Sequence, residues 1–166
     1  ERDRNSFDAY CYMTSAHRDS ITEKFEASAD AWRTAWGMSD ADLLAHIQAD
    51  EIDILVDLAG HSAGNRLPVF ARHPAPIQIS AWGHCTGTGM KAMDYIFSDN
   101  MVMPPEDARH CSEEVVELSC CISFAPPQDA PDVTTSPALA NGFVTFGSLN
   151  RIEKISDQTL AAWSDI

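Results

Sequence analysis

Ile52-Asp53-Ile54-Leu55-Val56-Asp57-Leu58-Ala59-Gly60-His61-Ser62 is the stretch that decides the fold. Its centre, Ile54-Leu55-Val56, is an unbroken apolar run, the composition of a strand covered on both faces. Gly60 then opens a loop that runs to Arg66. Within that loop, Asn65 is placed to cap a helix that must stop before Pro74. Strand, glycine loop and helix in that order form the building unit of an α/β domain.

Outward from this unit the same alternation recurs. Strands are predicted over 7–12, 31–35, 53–58, 77–82, 95–98, 115–118 and 143–146. Ser20-Ile21-Thr22-Glu23 reads as a capping box. Ile21, Phe25 and Ala29 then recur every four residues, which predicts a helix packed on the sheet. Ser39 caps a second helix whose Leu43, Leu44 and Ile47 face inward. The pattern predicts an α/β fold: a Rossmann-like, mostly parallel sheet with helices on both faces over residues 1–125. Residues 126–141, with Pro126, Pro127, Pro131 and Pro137, read as a linker. Over 142–166 a strand leads to a helix capped by Ser156, with Ile155 and Leu160 as a hydrophobic staple and Trp163 a turn further on. One strand and one helix cannot enclose a core, so they are expected to open a second, truncated α/β domain. No internal repeat is visible.

Composition narrows the partners. Eleven Lys and Arg against 25 Asp and Glu give a formal charge of -14, which repels phosphate backbones and anionic lipid surfaces at long range. Nucleic acid is therefore not expected as a partner. Nothing approaches the roughly 20 apolar residues of a membrane span, and Glu1-Arg2-Asp3-Arg4 does not begin a secretory signal, so no membrane partner and a cytoplasmic setting are expected. The five cysteines include no CxxC pair, which suggests neither a disulfide framework nor a metal site.

Ligands of open α/β sheets bind beyond the carboxyl ends of the strands, so the loops that follow strands hold the candidate site. Gly60-His61-Ser62-Ala63-Gly64-Asn65-Arg66 brings a histidine and an arginine to that edge, where an anion or polar group can be held. The alternative is a plain turn whose Arg66 covers its own helix. Trp82-Gly83-His84-Cys85-Thr86-Gly87-Thr88-Gly89 has the glycines that let backbone approach a ligand, yet neither P-loop nor dinucleotide spacing; a surface loop is an equal reading. At the third, Phe146 to Ile155, Arg151 and Lys154 lie three apart just before a capped helix, where a diphosphate meets two cations and a positive helix end. A solvated pair of cations on a turn fits the same residues.

Taken together these segments resemble the SPINDLY and O-linked N-acetylglucosamine transferase family, including its bacterial members. The resemblance is carried by residues 52–62, by Arg72-His73-Pro74-Ala75-Pro76-Ile77-Gln78, by Met93-Asp94-Tyr95-Ile96, and most strongly by Pro137 to Ser148 running on into Asn150 and Lys154-Ile155. It implies a GT-B type glycosyltransferase, with this chain as most of the N-terminal half plus the first strand and helix of the nucleotide-binding half. The implied reaction moves N-acetylglucosamine, or fucose as in some SPINDLY-like relatives, to protein Ser or Thr hydroxyls. The donor is of the UDP-GlcNAc or GDP-fucose type, and neither a metal nor another cofactor is implied.

By the same resemblance Lys154 contacts and stabilises the leaving diphosphate, and Asn150, Arg151 and Gly83 belong to the donor side. His61, Arg66 and His84 belong to the acceptor or sugar side. The implied partners are the nucleotide-sugar, a protein acceptor and the rest of a parent chain, with tetratricopeptide repeats as one expected element. The loop at 81–87 departs from the usual Trp-x-Gly-Tyr/His-Pro-Gly-Thr pattern: its Trp is shifted and its Pro absent. The family's upstream strand with its His-Pro motif has no counterpart, so the isolated chain is expected to show no turnover. A non-catalytic Rossmann-like binding module is the competing hypothesis.

Overall fold

A computed structural model of the chain describes residues 3–83, 86–121 and 129–166, which belong to two compact units, one within Glu1–Phe124 and one within Ala125–Ile166. In the first unit the described strands are β1 (Tyr10–Met13), β2 (Ala31–Thr34), β3 (Ile54–Asp57), β4 (Ile77–Ser80), β5 (Tyr95–Ser98) and β6 (Glu114–Glu117). Its helices are α1 (Ser20–Ser28), α2 (Asp40–Ala49), α3 (Leu67–Phe70) and α4 (Pro105–Ala108). Every ladder is parallel, as the alternating pattern predicts. The expected single sheet is instead two: β1 pairs with β2, and β3-β4-β5-β6 form a four-stranded sheet. No ladder joins β1 to β3, which ends the hydrogen-bonded array between them.

The core lies on one face of β3. Leu43 and Ile47 of α2, Leu55 of β3 and Val69 and Phe70 of α3 are buried together with Ala35, Ala75 and Met93, and Tyr12 of β1 packs against them. Each large apolar side chain buried in this way contributes about 1.5–3 kcal/mol. Leu44, expected to face inward, is half-buried at the margin of this cluster. Gln78 of β4 is fully buried, and its amide nitrogen donates to the Phe70 carbonyl at 3.0 Å and the Ala92 carbonyl at 2.6 Å, joining the end of α3 to the approach to β5. At the end of α2, Asp50 accepts from Arg33 Nη2 at 2.7 Å and Tyr12 Oη at 2.7 Å, so one carboxylate holds both β1 and β2. The Arg33 guanidinium holds that carboxyl below the usual carboxylate range against the opposing pull of burial.

Several local expectations are corrected. The helix-opening box lies one residue earlier: Asp19 is the N-cap of α1, accepting from the amides of Ile21 and Thr22, and Ser20 is the first helical residue. A carboxylate reaches those amides with more charge than a hydroxyl and takes the cap. Asn65 also stands one place outside its helix, with Arg66 at the N-cap, although Asn65 Oδ1 still accepts from the Leu67 amide at 3.2 Å. Ser39 and Ser156 cap α2 and the last helix as predicted. The packed face expected of α1 is open, with Ile21 51% and Phe25 59% exposed. Only one face of β3 is covered: Leu55 is buried, while Ile54 and Val56 remain 47% and 38% exposed.

The second unit contains α5 (Pro137–Asn141), a 3-10 turn (Ile152–Lys154) and α6 (Asp157–Ser164). The expected strand at 143–146 is not formed, since a strand is defined by a neighbour's amides and carbonyls and no described segment supplies them. The proline-rich stretch is not structureless at its end, where Pro137 starts α5 and Gly142, at φ 76°, closes it in the left-handed conformation.

Candidate functional site

At the carboxyl end of β3, Asp57 is 4% exposed and folds its own turn, accepting from the Ala59 amide at 3.2 Å and the Gly60 amide at 2.8 Å. Gly60 adopts φ 52°, in the left-handed region that suits glycine. The loop after β4 lies directly against this turn. A Cβ on Gly83 would overlap the Leu58 carbonyl and lie 2.6 Å from the Ala59 nitrogen, so the two backbones meet at a distance only glycine permits. The preceding Trp82 is held at φ 51°, a strained conformation for a bulky residue. Its indole Nε1 donates to the Cys121 carbonyl at 2.7 Å, and its ring meets Phe97 edge-on at 6.0 Å.

A second contact joins the same loops. His61 Nε2 lies 2.9 Å from the Thr88 carbonyl oxygen. Thr88 is fastened in turn by Glu113, a carboxylate only 5% exposed, whose Oε1 accepts from the Thr88 amide at 2.6 Å and also from the Thr88 hydroxyl. Ser112 Oγ donates to Glu113 Oε2 at 3.0 Å. Burial pushes the Glu113 carboxyl up, and the Thr88 hydroxyl and amide outweigh it, leaving the group below its ordinary value. Gly87 follows from the same packing, because a Cβ there would lie 2.6 Å from Glu113 Oε2. Residues 57–66 and the described residues of 82–89 thus share one edge of the sheet, with His61 and Gly83 at their junction.

Arg66 belongs to this loop but is already engaged. Its Nη1 donates to Asp40 Oδ1 at 2.7 Å, fixing the loop to the first turn of α2, and Nη2 reaches the Ala35 carbonyl at 3.4 Å. Neither sequence alternative, an anion-binding cation or a cover for its own helix, anticipates this partner. His84 lies outside the described residues. In the second unit Asn150, Arg151 and Lys154 are all exposed, and the 3-10 turn brings Lys154 N to within 3.0 Å of the Arg151 carbonyl. Arg151 is the extended N-cap of that turn and Lys154 its last residue, and both precede the N-terminus of α6 in the chain. Among the described residues no group of three or more His, Cys, Asp or Glu is gathered as a metal site.

The model of the glycosyl transferase family 41 sequence family matches residues 1–122. The chain belongs to glycosyl transferase family 41. Among curated proteins, this family 41 chain is 37% identical over 150 residues to SPINDLY of Arabidopsis thaliana, covering 90% of the chain and 16% of that protein. It is 28% identical over 173 residues to SEC of the same plant, covering 98% of the chain and 18% of that protein. A solved structure of a mutant O-GlcNAc transferase from Thermobaculum terrenum superposes with a TM-score of 0.87 at 36% identity, covering 98% of the chain and 31% of its own. The chain therefore spans about a sixth of the length of the curated relatives it matches.

Asp57, Thr88 and Glu113 escaped the sequence reading. An Asp at a strand end followed within three residues by Gly is a turn signal that points to Asp57. Glu113, one of 25 acidic residues, carries no such mark, since its burial depends on a loop 25 residues away in sequence.

Proposed function

We propose that this family 41 chain is part of a glycosyltransferase that moves N-acetylglucosamine from a nucleotide-sugar donor to Ser or Thr hydroxyls of proteins. The observation that carries the reading is the 36% identity and 0.87 TM-score, over 98% of the chain, to the mutant O-GlcNAc transferase of Thermobaculum terrenum. In the reaction the hydroxyl oxygen bonds to the anomeric carbon as the bond from that carbon to the diphosphate breaks, and the hydroxyl proton passes to a base. Negative charge grows on the departing diphosphate. Lys154, with Arg151 beside it and Asn150 just ahead, supplies compensating charge and donors at that point. Gly83 lets the backbone approach the donor, while His61 and His84 serve the acceptor or sugar side, and Arg66 contributes by fixing the loop that carries His61. No metal or further cofactor enters this reading, and the cytoplasmic setting and the wider parent chain, with tetratricopeptide repeats, belong to it.

No helix among the described residues is long and apolar enough to cross a membrane. The test is mass spectrometry of a Ser/Thr-containing protein incubated with the full-length parent and UDP-GlcNAc, and in parallel with GDP-fucose. One N-acetylhexosamine on a hydroxyl supports the proposal. A deoxyhexose from GDP-fucose keeps the transferase and changes the sugar. Donor binding with no transfer from either sends the protein back to a binding module.

A further inference from the structure

His61 is an exposed residue, yet its ring is tethered: Nε2 lies 2.9 Å from the carbonyl oxygen of Thr88, 27 residues further along the chain. A neutral imidazole has one N–H donor and one lone-pair nitrogen, whereas a carbonyl oxygen only accepts. The contact therefore holds only while Nε2 carries the hydrogen, which leaves the lone pair of the neutral ring on Nδ1. We propose that Glu113 is a positioning residue for His61: by fixing the Thr88 carbonyl it holds the neutral ring in its Nε2–H form, so that Nδ1 accepts a hydrogen bond from a ligand hydroxyl.

Thr88 has little freedom of its own. Its amide donates to Glu113 Oε1 at 2.6 Å, its hydroxyl donates to the same oxygen, and that hydroxyl accepts from the Met90 amide at 3.2 Å. With its amide, its side chain and the turn into residue 90 all held, the carbonyl between them is aimed at His61. Glu113 is steadied in turn by Ser112 Oγ, which donates to its Oε2 at 3.0 Å. Burial opposes its charge, but the Thr88 hydroxyl and amide keep the carboxyl below its ordinary value, so at neutral pH it is an ionised, acceptor-only group. Asp57 acts in the same way on the other loop, where it accepts from the Ala59 and Gly60 amides just ahead of His61. Two buried carboxylates thus fix the backbone that carries the ring and the backbone that the ring reaches.

The tautomer selects the ligand group. With Nδ1 as its acceptor, the neutral ring can receive a hydrogen bond from a hydroxyl and offers nothing there to an ionised diphosphate, whose oxygens only accept. This step rests on the proposed transferase reading, in which the hydroxyls are those of the sugar and of Ser or Thr. The hold of Glu113 on the ring does not.

Two measurements on the parent protein test the proposal. The first is NMR with nitrogen-15 histidine, in which the His61 signals are identified by their loss in His61→Ala. The Nε2–H proton of His61 should exchange with water about fivefold or more slowly than in Glu113→Ala, and Glu113→Gln, which keeps an oxygen for Thr88, should restore most of the slowing. If Glu113→Ala does not fold, Glu113→Asp, whose carboxylate is withdrawn by one methylene, takes its place. Equal exchange in all these proteins, or a neutral ring with its hydrogen on Nδ1, overturns the proposal. The second is transfer from UDP-GlcNAc to a Ser/Thr-containing protein. Glu113→Ala and His61→Ala should each lower kcat/KM by about tenfold, and the double variant should fall no further than His61→Ala alone. A Glu113→Ala loss that persists undiminished in the His61→Ala background makes Glu113 a structural support only, and also overturns the proposal. A parent that transfers no sugar removes the transferase reading, while the exchange measurement still decides whether Glu113 sets the ring.

Discussion

Replacing Glu113 separates a positioning carboxylate from a solvated one. Its Oε1 receives both the amide and the hydroxyl of Thr88, a residue itself only 6% exposed. Glu113→Ala leaves two buried donors without an acceptor, at about 1–3 kcal/mol each, so the chain should lose about 2–5 kcal/mol of stability. Glu113→Gln keeps an oxygen for Thr88 and an amide for Ser112 and gives up only the charge, so about 1 kcal/mol is expected. Urea unfolding at neutral pH reads both. A second readout follows from the His61 to Thr88 contact: the Ala variant should shift the His61 ring resonances more than the Gln variant does. An Ala variant within about 0.5 kcal/mol of the parent sequence, or a Gln variant as damaging as Ala, would refute the idea that Glu113 anchors the loop.

Three more perturbations test other parts of the molecule. The carboxyls of Asp50, beside Arg33, of Asp99, beneath the amides of Cys121 and Val102, and of Glu113 all lie below their ordinary values. Their stabilisation is therefore complete above the unfolded carboxylate range, about pH 4–5, and is lost as pH falls through the lower folded values; acid titration of Asp50→Asn should show a shallower loss than the unsubstituted chain. Gly83→Ala should cost about 1–3 kcal/mol, because its methyl group forces the backbones of 58–59 and 83 apart, and an unchanged melting temperature would contradict that close approach. Lys154→Ala in the full-length parent should leave stability alone, since the residue is exposed, and weaken donor binding by on the order of tenfold; equal binding returns it to a solvated lysine.

What the sequence makes legible is what local chemistry decides. The runs 53–58 and 77–82 contain β3 and β4, and the loops after them fall at one edge because consecutive parallel strands end on the same side. The position of the strand ends also places His61 and Gly83 together. Features that depend on a distant partner are not legible. Phe143 to Phe146 has strand composition but no neighbour to pair with among the described residues, and none of the described segments covers the apolar face of α1, so the same alternation that predicts packing leaves Ile21 and Phe25 in the open. The choice between Asp19 and Ser20 as cap is local, yet it turns on which side chain reaches two amides at once. Arg66 is the most instructive case, because a cation in a glycine loop reads as a ligand group until Asp40, 26 residues earlier, is seen to hold it.

That pairing bears on where a donor's negative charge can be met in so acidic a chain. In the first unit the ion pairs Arg4 with Asp30, Arg18 with Glu26, Arg33 with Asp50 and Arg66 with Asp40 commit four arginines to the chain's own carboxylates. The described part of the loops at 57–66 and 82–89 has Arg66 as its cation, and a diphosphate drawing on it would have to displace Asp40. From residue 125 onward the sequence carries two basic residues, Arg151 and Lys154, the N-cap and the last residue of one 3-10 turn that precedes α6 in the chain. Cation, cation and helix end act in the same direction on an anion. Within the proposed function, that is the ground for assigning a diphosphate's charge to Lys154 and Arg151 and not to Arg66, which Asp40 already holds.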